Sequence, residues 1–372
     1  MKLPTAIEVR SFAVSSLSQV KNTFSELVSQ ILRKDAPVSK NDVTVGLDIG
    51  RAYINLIQIQ KTEGGVVLEK FVHQQILPNV PLSAQIKNLF QEAQITQKRV
   101  RVSLKGQGVI LRFISFPKMT PEEFQSSIQY EAEKYLPFAM AEVIFDFYIA
   151  DKIKSAGDPG RMMEVILVAA RKQEIFKLIK TLQDAELQPE SVDVDAVAFT
   201  NAFVAAEKEA KDKVFALIDF GMKDVNLNIM DHGVLRFSRD ITFGGYDITQ
   251  FLKRKLQVDD QTALSIQAGK KSDKPEYRLA LQESLATLIQ EIKLSINYFY
   301  GQHQEVDALS AIYMSGGLAQ MKLLQETLSQ DVKLPVLEWD PVESFKIAPE
   351  INKEELNKLK LYLPVCVGLA LK

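Results

Sequence analysis

"VTVGLDIGRAYINLIQIQ", residues 43–60, decides how the rest of the chain is read. An apolar run ends in Asp48-Ile49-Gly50, and three residues later apolar side chains resume. A buried strand that meets a carboxylate and a glycine, then starts another strand at once, is a tight hairpin with a polar corner. Glycine at such a corner lets backbone approach a ligand, and the N–H groups exposed there form a nest for an anion. A carboxylate at the strand end can hold Mg²⁺ through water.

"VFALIDFGMKDVNLNIM", residues 214–230, repeats the pattern without a gap. Val43 pairs with Val214, Asp48 with Asp219, Gly50 with Gly221, Asn55 with Asn226 and Leu56 with Leu227. Each copy continues into a second turn, Gly64-Gly65 in one and Asp231-His232-Gly233 in the other. A third strand follows each time, "VLEKFVHQQIL" and "VLRFSRDITF". Such self-similarity marks a duplicated unit. The chain is therefore expected to hold two α/β lobes, with Asp48 and Asp219 facing each other over a cleft. Two such corners would grip a phosphate chain from both sides, with Mg²⁺ held by Asp48 and Asp219 through water.

A third stretch, "AIYMSGGLAQMKLLQETL", residues 311–328, reads as a strand, then Ser315-Gly316-Gly317, then an amphipathic helix. Glycines at a helix start admit a nucleotide to free N–H groups. Gly244-Gly245 follows the third strand of the second copy. No Walker loop or G-x-G-x-x-G competes with this reading. In this order the stretches resemble the phosphate-1, phosphate-2 and adenosine motifs of the actin/Hsp70/sugar-kinase superfamily.

Composition agrees with a two-lobed globular protein. The chain has 372 residues, 46% hydrophobic and 25% charged, too long for one simple core. Its formal net charge of −2 gives no reason to expect a nucleic-acid partner. The single cysteine, Cys366, sits among Val365, Val367 and Leu369 and reads as a small buried hydrophobe. His73, His232 and His303 have no ligand spacing and read as surface or turn residues. No apolar run approaches the ~20 residues that cross a bilayer, and the N-terminus lacks a secretory pattern, so a cytoplasmic location is expected. Residues 12–34 carry one apolar stripe at helical spacing, ahead of a linker at 35–39. That arm reads equally as a helix packed on the body or as a docking arm for a partner or membrane surface.

Between the repeats, "FPKMTPEEFQSSIQYEAEKYLPFAMAEVIFDFYI", residues 116–149, opens with a capping box at Thr120 to Glu123 and a helix that Pro137 stops. A strand from Val143 to Ile149, a polar loop from Asp151 to Arg161, a return strand from Met162 and a helix from Arg171 to Leu187 follow. Here the chain resembles the PilM family, the actin-like proteins of type IV pilus assembly and relatives of the division protein FtsA. The resemblance rests on "SIQYEAEKYLPF", "EVIFDF", "EVILVAARKQEI", "LQPESVDVDAVAFTNAF", "ITFGGYDIT" and "YMSGGLAQM", and runs over about 42–372.

The resemblance implies an α/β actin-like ATPase fold, with duplicated ribonuclease-H-like lobes and an inserted subdomain of the FtsA 1C type. It implies these divisions: residues 1–41 an N-terminal helix and linker; 42–107, 190–213 and 355–372 subdomain 1A; 108–189 subdomain 1C; 214–247 and 306–354 subdomain 2A; 248–305 subdomain 2B. It implies ATP and Mg²⁺ between the lobes, near Asp48, Gly50, Arg51, Asp219, Gly221, Lys223, Gly244, Gly245, Gly316 and Gly317, with no catalytic residue identified. It further implies a scaffold at the inner face of the inner membrane that binds the N-terminal cytoplasmic peptide of a PilN-like membrane protein, beside other platform proteins and with self-association. The groove is placed near Tyr130, Lys134, Tyr135 and Phe138.

The chain departs from the family pattern where phosphates would lie. Arg51, Ala52, Tyr53 and Asn55 stand where hydroxyl residues and a lysine are usual, and Asp224 stands where the second turn has Ser or Thr. A carboxylate beside a triphosphate costs about 1 kcal/mol at 4 Å in water and several times more at an effective dielectric near 20. Leu264 and Gln267 replace the Glu and Lys expected on the adenine side. The clamps are therefore expected to be weakened or lost, with little ATP hydrolysis. A GspL-like secretion component and an FtsA-like filament former are the competing members of the same fold.

Overall fold

The computed structural model describes residues 42–150, 162–270 and 274–372. The N-terminal arm and the polar loop 151–161 lie outside the described residues.

Five strands build the core of the first lobe: β1 (Val43–Ile49), β2 (Tyr53–Thr62), β3 (Gly65–Gln75), β4 (Arg99–Leu104) and β8 (Gln188–Val194). The second lobe uses β9 (Val214–Phe220), β10 (Val225–Asp231), β11 (Val234–Ile241), β12 (Leu309–Gly316) and β13 (Val336–Glu338). The first sheet runs β3-β2-β1-β4-β8 and the second β11-β10-β9-β12-β13, so strand rank is the same in both. In each, the first three strands are antiparallel and the last two run parallel to the first. Register repeats as well: Asp48 opposes Asn55, and Asp219 opposes Asn226. β1 and β9 are buried along nearly their whole length, as befits central strands covered on both faces. A short strand, β14 (Lys346–Ile347), pairs with β3 and covers that edge of the first sheet.

The helices are α1 (Leu82–Glu92), α2 (Pro121–Glu131), α3 (Lys172–Asp184), α4 (Asp195–Ala206), α5 (Gly245–Leu256), α6 (Asp260–Gln267), α7 (Pro275–Gln302), α8 (Lys322–Val332), α9 (Lys353–Leu359) and α10 (Pro364–Leu371). On one face of the first sheet, Ile86, Leu89 and Phe90 of α1 and Leu182 of α3 pack on Val45, Leu47, Ile54 and Leu56. On the other face lie α4 and α10. Their core joins Ile57 and Ile59 of the first sheet to Phe215 and Leu217 of the second through Phe199, Phe203, Trp339, Leu363 and Val367. The two lobes thus share an apolar base. Each large side chain buried there is worth about 1.5–3 kcal/mol. Thr44 Oγ1 donates to the Ala370 carbonyl at 2.8 Å and Lys61 Nζ to that of Leu371 at 2.9 Å, which tie α10 back onto the first lobe. Cys366 is buried within it.

In the second lobe, Leu281, Leu285, Leu288, Ile289, Ile292, Ile296 and Phe299 of α7 are all buried against the sheet. The insert is a three-stranded antiparallel sheet, ordered β5 (Val109–Pro117), β7 (Met162–Arg171), β6 (Val143–Ile149). One face packs Phe116, Phe147 and Leu167 on Phe124 and Ile128 of α2. Thr120 caps α2: its backbone N–H donates to Glu123 Oε2 at 2.8 Å and its hydroxyl accepts from Glu123 N at 3.2 Å. This helix ends at Glu131, before Pro137, because the chain tightens into a 3₁₀ turn over Ala132–Lys134. The other face sets Leu111, Phe113, Ile166 and Tyr148 against Val194 and Val197 of the first lobe and Leu235 of the second. The insert therefore leans on both lobes.

Candidate functional site in the interlobe cleft

The two Asp-x-Gly corners are the same turn. Gly50 N donates to the Tyr53 carbonyl at 2.8 Å, and Gly221 N to that of Asp224 at 3.1 Å. A Cβ on Gly50 would lie 2.8 Å from the Tyr53 oxygen, and one on Gly221 2.6 Å from the Asp224 oxygen. No side chain fits either corner, which explains why both copies carry glycine.

Parallel strands bring further charges to this edge. β1, β4 and β8 all point their carboxyl ends the same way, the edge where open α/β sheets place ligands. Asp48 stands near the end of β1, Lys105 directly follows β4, and Asp195 directly follows β8. Lys105 Nζ lies 3.0 Å from Asp48 Oδ1 and 2.7 Å from Asp195 Oδ2. The second oxygen of Asp48 accepts from Asn55 Nδ2 at 2.9 Å. In the second lobe Ser315, at the end of β12, donates to Asp219 Oδ1 at 3.0 Å. Each lobe's aspartate thus takes a partner from the neighbouring parallel strand, but the partner is cationic in one lobe and neutral in the other.

The electrostatics follow the geometry. Burial works against the Lys105 ammonium, yet Asp195, Asp48 and Asp219 together hold it well above the usual lysine range. Burial raises the Asp219 carboxyl, Lys105 opposes that shift and Asp48 adds to it. Asp195 is likewise pushed up by burial, with Lys105 pulling it down and Asp48 pushing it further up. Asp48 and Asp195 both contact the Lys105 ammonium, and Asp219 lies close enough for its charge to act on Lys105 and to be acted on by Asp48.

Across the cleft, Arg51 Nε pairs with Asp224 Oδ2 at 2.8 Å, joining the first corner to the second. Lys223 does not share that charge; its Nζ sits 5.5 Å over the Tyr246 ring. The remaining glycines gather on the second corner. Gly245 N donates to the Gly221 carbonyl at 3.2 Å, and Gly317 N to that of Phe220 at 3.0 Å. Gly244 caps the start of α5. Gly316, by contrast, has φ +83° and is not at a helix start; α8 begins only at Lys322, after a turn. Gln267 reaches this region and accepts from Thr249 Oγ1 at 2.6 Å, while Leu264 is exposed.

The histidines differ from the expectation in part. His232 is exposed in a turn, but His73 is half-buried in the cleft. Its Nδ1 lies 2.7 Å from Asn55 Oδ1, and its ring stacks on Tyr53 at 4.3 Å and meets Tyr362 at 4.2 Å. Burial lowers its pKa, against the pull of Asp48. Lys105, Asp195 and Tyr362 were not expected at the site. The signal available for the first two was their position just past strands that run parallel to β1. Among the described residues, no three His, Cys, Asp or Glu side chains converge to hold a metal directly.

The four residues expected at a partner groove lie together on the insert. Tyr130 is exposed, and Lys134 points outward with Glu131 at 2.8 Å. Tyr135 and Phe138 are half-buried at the rim of the insert's core, where the Arg171 guanidinium lies 4.1 Å over the Phe138 ring.

Two lobes of one strand order, matched Asp-x-Gly corners and an intervening cleft define an actin-like protein, with a three-stranded sheet inserted in its first lobe. The chain belongs to the family of the type IV pilus assembly protein PilM, whose profile matches residues 46–372. A solved structure of the PilM-PilN type IV pilus biogenesis complex is 26% identical, with a TM-score of 0.76 over 88% of this chain and 97% of that one. Ethanolamine utilization protein EutJ from Carboxydothermus hydrogenoformans is 12% identical, with a TM-score of 0.48 over 90% and 91% of the two chains. MreB5 of Spiroplasma citri bound to ADP is 12% identical, with a TM-score of 0.47 over 89% and 95%. Among the described residues no helix is long and apolar enough to cross a membrane.

Proposed function

We propose that this protein works as a scaffold of type IV pilus assembly that takes the N-terminal cytoplasmic peptide of a PilN-like inner-membrane protein, and that it is not an ATP-hydrolysing enzyme. The observation that carries the reading is the match over nearly the whole body to the structure of a PilM-PilN complex. The groove is assigned beside the insert, with Tyr130 and Lys134 on its open side and Tyr135 and Phe138 beneath. An exposed aromatic beside a cation suits an amphipathic peptide, since the ring supplies contact area and the ammonium sets orientation. Binding such a tail would place the chain at the inner face of the inner membrane.

The cleft supports the non-enzymatic half of the reading. The glycine corners at Gly50 and Gly221 keep their turn, but their own N–H groups are spent on the Tyr53 and Asp224 carbonyls, and Asp224 adds a negative charge at the second corner and engages Arg51. A triphosphate would have to compete with Asp224 for that guanidinium. Magnesium does not fit the donor set either: both oxygens of Asp48 already have partners, and one of Asp219's is engaged by Ser315. Asp48, Gly50, Arg51, Asp219, Gly221, Lys223, Gly244, Gly245, Gly316 and Gly317 thus outline a nucleotide cleft whose clamps are weakened.

The test is capture of the synthetic cytoplasmic peptide of the neighbouring PilN-like protein by the full chain. Tyr130→Ala and Lys134→Glu alter only surface side chains and should weaken capture at least tenfold. Unchanged capture by both variants would remove the groove from this face of the insert.

A further inference from the structure

We infer that Lys105 is the resident cation of the cleft: its ammonium takes the place toward which the cleft carboxylates converge, and the chain holds the cleft's arrangement without a divalent ion. This deepens the reading of the weakened cleft and is independent of the peptide groove.

The position is built by the fold. Lys105 leaves β4 between β1 and β8, and these parallel neighbours deliver Asp48 and Asp195 to either side of it. Both carboxylates are shielded, with side chains 7% and 13% exposed, whereas the lysine side chain is 34% exposed and enters from the open side. Asp219 of the second lobe acts on the same ammonium. Lysine is well suited to this, because an ammonium is a compact charge with several donors on a flexible stem.

The charge balance points the same way. Asp48, Asp195, Asp219 and Asp224 face Lys105 and Arg51, so the corner keeps an anionic excess after its internal pairs are made. A magnesium triphosphate is itself anionic and would enter against that field. The Arg51–Asp224 pair meanwhile joins the corners between which a phosphate chain would run. Arg51 thus joins the two corners directly, while Lys105 ties the ends of β1 and β8 together within the first lobe.

Shortening Lys105 should uncover a metal site. Asp195 Oδ1 is buried, with the Ser103 hydroxyl acting on the same carboxyl, and loss of the ammonium would free Asp195 Oδ2 and Asp48 Oδ1 beside it. The experiment is Mn²⁺ titration of the full chain, followed by electron paramagnetic resonance of the free ion. The wild type should take up no Mn²⁺ at this corner. Lys105→Ser should bind Mn²⁺ at least tenfold more tightly than the wild type, and the added Asp48→Asn should abolish the gain. Lys105→Arg, which keeps the charge, should behave as the wild type. Micromolar Mn²⁺ uptake by the wild type that Asp48→Asn removes would overturn the inference, as would a folded Lys105→Ser variant with no gain. The wild-type and Asp48→Asn titrations decide the matter even where Lys105→Ser does not fold.

Discussion

Replacing Gly368 by alanine should destabilise the chain, although alanine is the better helix former. Gly368 lies in α10 where that helix crosses α4. A Cβ there would overlap the Ala198 carbonyl oxygen and stand 2.5 Å from its carbon and 3.1 Å from its Cα, where ordinary contact begins at 3.4 Å. The helices must part by about 1.5 Å, and overpacking of that kind costs about 1–3 kcal/mol. Parting them also strips contacts from Phe199, Ala202, Val365 and Cys366, all buried in the base shared by both lobes. Against this, Gly→Ala in a helix gains about 0.5–1 kcal/mol from propensity and unfolded-state entropy. A net loss of about 1 kcal/mol is expected, read as a lower denaturation midpoint at unchanged slope. Gly301→Ala is the internal control, because a Cβ at that α7 position meets nothing within 4 Å; it should be neutral or slightly stabilising. A Gly368→Ala chain as stable as the wild type would refute the close crossing of α4 and α10, and with it the shared base.

Asp146, on β6 near Lys372 and Asp193, is pushed up to about 7 by burial. The folded chain therefore keeps a proton that the unfolded chain releases near the ordinary value of 3.8. The stability this contributes is full below that value and is lost as pH rises through 7. The advantage of Asp146→Asn over wild type should grow by about 2 kcal/mol between pH 5 and 8 in chemical denaturation; parallel curves would contradict the buried setting. A double-mutant cycle on Arg51 and Asp224 should give a coupling of about 0.2–1 kcal/mol that fades in high salt, as suits a partly exposed pair. Zero coupling at low salt would mean that the corners are not joined. Thr120→Ala should cost about 1 kcal/mol, seen as faster amide exchange across α2 with the lobes unaffected.

The fold was legible because the duplication is written locally. Strand, corner and return strand occupy residues 43–62 in one copy and 214–231 in the other, so Asp48 and Asp219 match without a gap, and their shared register follows from the hairpins themselves. What sequence left hidden depends on partners far along the chain. Lys105 looks like an ordinary loop lysine until β4 is known to lie beside β1, and Asp195 looks like a helix-start carboxylate until β8 is known to lie beside β4. His73 sits on a strand of mixed polarity, and only the return of Tyr362 from the far end encloses it. Gly316-Gly317 resembled a helix start because a turn and an amphipathic helix follow closely. Residues 342–360 hold β14, too short at two residues to carry a period, and α9, capped by the Asn352 side chain.

Calorimetric titration of the full chain with the PilN-like cytoplasmic peptide, in the presence and absence of Mg-ATP, tests scaffold and cleft together. The peptide should bind with the same affinity in both, and Mg-ATP alone should bind more weakly than about 1 μM or not at all. Peptide binding that appears only with Mg-ATP, or nucleotide binding tighter than about 1 μM, would contradict a scaffold whose cleft is held by its own lysine and arginine.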